Sequence, residues 1–221
     1  MVNVSSTTGR IDVARRVYRS PKRRAQAART RAAILAAAHD LFITHGYAGT
    51  SLSAVAGAAA VSVPTIEQNF GTKRNLLKII VDVAKAGDDE PVPVLDRAAA
   101  QAAQRARTAD EFLTPVVREL GVVSARLAPI VVVLAEAAAV HADIADLAQE
   151  LDVQRRAMAS WIVAQLARHG LRPEPNPEHA IDTVWVLLDP VIHRRLTHDR
   201  GWSLDTYSTW LGDSLRRLLL A

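Results

Sequence analysis

"GTSLSAVAGAAAVSVPTIEQNFGTKRNLL", residues 49–77, is the stretch that decides how this chain is read. Thr50 or Ser51 is placed to cap a short helix running to about Ala59, because a hydroxyl oxygen accepts from the free N–H groups of a first helical turn. Ser62 caps a second short helix over about 63–69, with Pro64 in the first turn, where its missing N–H is no loss. Phe70-Gly71 closes that helix, and Thr72 caps a longer one from Lys73 to Ala86. Ile66 and Phe70 stand four apart and so share an inward face. Ser62, Val63, Thr65, Gln68 and Asn69 are left facing mostly outward.

Upstream, a helical pattern starts at Ala25. Ile34, Leu35, Ala38, Leu41 and Phe42 form one apolar stripe that stops at Gly46. Residues 25–70 thus read as three helices, the last two short and joined by a tight turn at Ala59–Val61. This is the pattern of a helix-turn-helix, whose second short helix enters the major groove. Small hydroxyls and amides on its outer face are the groups that reach base edges and phosphates. Ahead of it, residues 1–24 read as a flexible basic arm carrying Arg15, Arg16, Arg19, Lys22, Arg23 and Arg24, suited to phosphates or the minor groove, or else to plain solvation.

"GDDEPVP" at 87–93 is a polar, proline-bearing break and the expected domain boundary. Beyond it the spacing predicts helices at about 94–106, 109–126, 128–139, 143–169, 177–197 and 203–220, with Pro129 separating two of them and Pro190 kinking another. No stretch alternates long enough for a strand. The expected fold is all-α: a basic arm over 1–24, a helix-turn-helix domain over 25–86, and a larger helical bundle over 87–221. The stripes of 143–169 and 177–197 suit either their own bundle or a second copy of the chain.

Charge follows the same division. Residues 1–31 hold nine Lys or Arg against one acid, whereas residues 87–221 hold 14 basic and 19 acidic side chains. A basic front and an acidic back suit a polyanion at the N-terminal side. The 221 residues contain no cysteine, which excludes disulfides and thiolate metal sites. The apolar run "LAPIVVVLAEAAAV", 127–140, is too short to span a bilayer, and no targeting signal is visible, so a cytoplasmic protein without membrane contact is expected.

The segment "GYAGTSLSAVAGAAAVSVPTIEQNFGTKRNLL", 46–77, resembles the signature of the TetR/AcrR family of bacterial transcription regulators. Gly46, Tyr47, Thr50, Ser51, Leu52, Val55, Ala56, Ala59, Val61, Ser62, Thr65, Ile66, Phe70, Lys73 and Leu76 carry the match, which covers about the first 86 residues. The tail "RGWSLDTYSTWLGDSLRRLLL" is similar to tails common in that family. The resemblance implies a homodimer on a near-palindromic DNA operator, loosened by a small molecule bound in each C-terminal bundle. It implies phosphate contacts from Thr50, Ser51 and Lys73, and groove contacts from Ser62, Thr65, Gln68 and Asn69. Tyr47 is either a wedge between helices or a plain core tyrosine. Two positions depart from the pattern. Ala60 stands where the family has a turn glycine, and is strained by about 1 kcal/mol if that site needs positive φ. Glu67 stands where the family has a phosphate-touching tyrosine. Three readings stay open for it: pairing with an arginine, accepting from a cytosine amine, or weakening DNA binding.

The residues say less about the ligand. Phe112, Val116, Val123, Leu127, Val131, Leu134, Trp161, Gln165 and Trp185 are candidate pocket walls, suited to a lipophilic or aromatic effector. Glu136 would meet a cationic ligand or form a structural salt bridge. His193 is expected to be structural. No cofactor, metal or enzyme is expected, because no Gly-rich phosphate loop, zinc-type His pair or Glu-x-x-His motif occurs. Three functions remain open: a ligand-responsive repressor, a constitutive or architectural helix-turn-helix protein, and a helical binding protein with weakened DNA binding.

Overall fold

The computed structural model describes residues 21–90, 92, 94–172 and 176–221. Arg15, Arg16 and Arg19 of the expected arm lie outside the described residues. The first helix, α1 (Pro21–Gly49), starts four residues earlier than expected, so Lys22, Arg23 and Arg24 ride on its exposed first turns and are not part of an arm. Proline fits a helix start because its φ is already helical. At Gly46 the backbone leaves the helix (φ 69°, ψ 175°) and re-enters it for one more turn.

Next come α2 (Leu52–Ala58), α3 (Val63–Phe70) and α4 (Lys73–Ala86), each opened by a hydroxyl cap. Ser51 accepts from the Ala54 N–H at 3.1 Å, Ser62 from Thr65 at 3.3 Å and Thr72 from Asn75 at 3.2 Å. Gly87, in the left-handed region, ends α4. The expected 94–106 helix divides into a 3-10 turn (Val94–Asp96) and α5 (Ala98–Gln104).

α6 (Ala109–Ala138) is one continuous helix of 30 residues through Pro115 and Pro129, where two helices were expected. An interior proline deletes one hydrogen bond and disfavours helix by about 3 kcal/mol. Here Leu127, Ala128, Ile130, Val133 and Leu134 are buried around Pro129, and that burial outweighs the loss. α6 has the length and composition to cross a membrane, yet it packs against α1, α4, α7 (Ala142–Ala167), α9 (Pro190–Arg194) and α10 (Leu204–Leu219). Instead of a kink at Pro190, the chain breaks outright: α8 (Pro177–Leu187) stops, Asp189 caps α9 through the Val191 N–H, and a π-helical turn follows at Arg195–Asp199. No strand occurs among the described residues; a single bridge between Leu171 and Leu220 ties the C-terminal end to the α7–α8 connection.

The described residues form two hydrophobic cores. The first joins Ile34, Phe42, Val55, Ile66, Phe70, Leu76 and Ile80 to Ile130, Leu134, Ile144 and Leu147. It therefore runs from the helix-turn-helix into the far half of α6 and the near half of α7. The second joins the near half of α6 and the far half of α7 to α8 and α10, around Phe112, Ile162, Leu166, Val184, Tyr207 and Leu211. α6, about 45 Å long at 1.5 Å per residue, spans both.

Candidate nucleic-acid interface

α3 is held by two buried side chains, Ile66 and Phe70. Its outer surface presents Ser62, Pro64, Glu67, Gln68 and Asn69, all exposed, with Thr65 and Val63 half-buried. Val63 packs against the first core, so it faces inward more than its spacing suggested. The Ser62 and Thr65 hydroxyls bond each other at 2.8 Å. The Asn69 amide nitrogen donates to the Thr65 carbonyl at 2.7 Å, which orients the amide and leaves its oxygen outward. Glu67 is exposed and makes no ion pair among the described residues.

Arg31 fixes α3 from behind. Its guanidinium lies 4.7 Å from the Phe70 ring centroid and grips Asp89 through two bonds, one of them 2.9 Å. The Asp89 hydrogen bond raises the Arg31 pKa further. The turn into α3 has the strain anticipated: Ala60 has φ 52°, the one non-glycine residue at positive φ among those described.

Two expected phosphate contacts are structural. Thr50 is buried, and its hydroxyl is shared between the Leu41 carbonyl at 3.0 Å and the Gly46 carbonyl at 2.9 Å. It answers carbonyls stranded where α1 breaks at Gly46, a need legible from a helix-ending glycine. Lys73 points back into the fold. Its ammonium donates to the Tyr47 carbonyl at 2.9 Å and the Thr50 carbonyl at 3.0 Å, and sits 4.2 Å from the Tyr47 ring centroid. Burial lowers its pKa. Tyr47 is buried, stacked on Phe42 and edge-on to His141 at the start of α7. Ser51 remains at the surface as the α2 cap, and Arg23 and Arg24 are exposed on α1.

The candidate ligand walls do not gather into one site. Leu127, Val131 and Leu134, with Val123, belong to the first core, while Phe112, Val116, Trp161 and Trp185 belong to the second. Phe112 and Trp161 are in contact at 5.4 Å between centroids. The Trp185 indole donates to Asp152 at 3.1 Å beneath the Arg155 guanidinium. Gln165 accepts from Arg168 at 3.0 Å. Glu136 is exposed and without an ion pair among the described residues, so it neither lines the interior nor forms the expected salt bridge. Sequence reasoning missed Ser124, Tyr207 and Ser208, and placed His193 only as structural; these four are buried polar side chains of the second core.

Residues 34–80 match the family model described as bacterial regulatory proteins, tetR family. The matched residues run from α1 through α2 and α3 into α4, so the resemblance lies on the helix-turn-helix. Together with the helical bundle behind it, this unit has a TetR-like fold. A crystal structure of NalD from Pseudomonas aeruginosa, described as the secondary repressor of the MexAB-OprM multidrug efflux pump, superposes with TM-score 0.64 at 21% identity, covering 88% of this chain and 98% of that one. A TetR-family regulator structure from Mesorhizobium loti gives TM-score 0.63 at 18% identity over 87% of this chain and 96% of that one. A regulator from Saccharomonospora viridis solved with choline gives 0.62 at 18% identity, with coverage of 89% and 99%. Comparison with curated protein sequences finds no match.

Proposed function

We propose that this chain is a ligand-responsive transcriptional regulator, most simply a repressor, that binds a near-palindromic operator as a homodimer in the cytoplasm. The supporting observation is the outer face of α3. Ser62, Glu67, Gln68 and Asn69 stand exposed on a short helix that Ile66, Phe70 and Arg31 hold from behind. This arrangement suits base-edge and phosphate contact in a major groove. Ser51, Thr65, Arg23 and Arg24 are the flanking candidates; Thr50, Val63 and Lys73 shape the unit.

A homodimer is supported by the outer side of the C-terminal bundle. Val186 on α8 and Leu218 on α10 are about half exposed. Trp202, Trp210, Asp205, Asp213 and Arg217 border an open recess of about 620 Å³ along α10. A two-fold contact there would place the same patch on both subunits.

The test is a gel shift with DNA from upstream of the chain's own gene, followed by addition of lipophilic compounds. A specific shift lost in a Gln68→Ala, Asn69→Ala double variant supports the reading. Absence of any specific shift in full-length protein defeats it. The tight packing of Phe112, Trp161, Leu127 and Leu134 favours a second reading, a constitutive DNA-binding protein. A complex that persists with every effector tested would select that reading.

A further inference from the structure

The second core contains polar groups that its own side chains leave unanswered. His193 on α9 and Tyr207 on α10 meet edge to face, 4.6 Å between centroids. Both are buried, as are Ser124 on α6 and Ser208 on α10. His193 Nε2, Tyr207 Oη and Ser208 Oγ have no hydrogen-bond partner among the described residues. Ser124 lies beside the Tyr207 hydroxyl, near enough to pull the phenol pKa down against the larger upward effect of burial.

Tyr207 and Ser208 converge on one turn of α6. A Cβ added to Gly121 would lie 2.8 Å from Ser208 Oγ and 3.6 Å from the Tyr207 ring. Ser124 is one turn further along the same face. Glycine at 121 lets α10 approach closely enough to assemble the cluster. An unpaired buried polar group is costly, so three together mark a place where a bound molecule has partners waiting.

The chemistry of the cluster selects among ligands. Burial pushes the Tyr207 phenol up to about 12 and pushes the His193 imidazole down, so both are uncharged near neutral pH. The charge that reaches Tyr207 is the Asp189 carboxylate, already paired with Arg155 at 2.9 Å. None of the four side chains carries a positive charge near neutral pH, so a ligand anion would be desolvated without a cationic partner among them, which is costly. An uncharged oxygen can accept from the phenol and the serine hydroxyls without that penalty. The neighbouring walls, Phe112, Val117 and Leu211, are apolar. Residues 190–199, α9 and the π turn, run between the break at Asp189 and Gly201 (φ 72°) and carry His193.

The geometry points to Ser124, His193, Tyr207 and Ser208 as the polar end of the effector site, taking an uncharged, mostly apolar molecule by one carbonyl or hydroxyl oxygen. This rests on reading the chain as effector-responsive. The test uses the full chain without DNA, titrated with acetophenone and p-cresol against ethylbenzene and benzoate, and followed by saturation-transfer NMR and intrinsic fluorescence. The expected result is at least tenfold tighter binding of the two uncharged oxygen-bearing probes than of ethylbenzene or benzoate. Tyr207→Phe should erase that preference without lowering Tm. If that variant misfolds, the Ser124→Ala, Ser208→Ala double variant carries the same comparison. Equal binding of acetophenone and ethylbenzene, stronger binding of benzoate, no binding of any probe, or a preference that survives the substitutions would overturn the assignment. Operator binding is measured separately by gel shift, so a failed probe titration leaves the DNA-binding reading standing, and a failed gel shift leaves the probe result interpretable.

Discussion

Thr50 and Ser208 are both buried hydroxyls, one in each core, and their surroundings are opposite. Thr50 is satisfied by two backbone carbonyls and sits beside a lysine that is satisfied by two more. Ser208 Oγ has no hydrogen-bond partner among the described residues, and neither do His193 Nε2 and the Tyr207 hydroxyl. The first core ties the break at Gly46, the α2 cap region and the start of α4 into one unit. Such a unit keeps α2 and α3 at a fixed angle, which reading a groove requires. The second core keeps unsatisfied polar groups where three helices meet. That arrangement suits a region whose contacts are exchanged for those of a guest.

Substitutions can break or sharpen this contrast. Thr50→Val, nearly isosteric, is expected to lose about 1–3 kcal/mol of stability, because it strands carbonyls in a packed region; a shift of the urea midpoint to lower concentration checks it. Ala60→Gly should gain about 1 kcal/mol by relieving the positive φ, seen as a raised urea midpoint. Ser208→Ala should have the opposite sign from Thr50→Val, a gain of up to about 1 kcal/mol, since an orphaned hydroxyl is removed and nothing is stranded. If both hydroxyl deletions destabilise equally, the contrast between the cores fails.

The pH response separates the cores further. Burial holds the folded pKa of His193 below its ordinary 6.5, so between the two values the unfolded chain binds more protons. Stability attributable to this group is present above pH 6.5 and falls as pH falls through that window. His193→Gln should flatten the decline between pH 8 and 5.5 in chemical denaturation; an unchanged slope would place the response elsewhere. Glu67→Tyr should have the smallest effect on stability, within about 0.5 kcal/mol, because the side chain is exposed and makes no ion pair among the described residues. Its effect belongs to DNA. Tighter operator binding by gel shift means that the carboxylate repels phosphate, and relaxed preference at one base pair means that it reads a cytosine.

Much of the helix-turn-helix was legible because its signals are local. Ser51, Ser62 and Thr72 cap helices wherever a chain has free N–H groups to answer, and Ile66 with Phe70 fixes a buried face by spacing alone. The unfavourable turn at Ala60 came instead from the resemblance, which puts a glycine at that position. The positions that misled were those where a distant partner settles the matter. Lys73 looks outward in sequence, but the carbonyls of Tyr47 and Thr50 lie more than 20 residues away and capture it. Pro129 looks like a break, but the apolar surface buried on both sides of it carries α6 through.

The sequence by itself determined the all-α class, the three N-terminal helices and the polar face of α3, because caps, periodicity and turn residues act over a few positions. Only the tertiary structure decided that the helix-turn-helix shares its core with α6 and α7, that Glu136 is exposed, that Tyr207 and Ser208 meet beside Gly121, and that His193 packs on Tyr207. Those outcomes depend on which helix faces which. Helix pairing is set by the summed burial of residues far apart in the chain, and no local pattern encodes it.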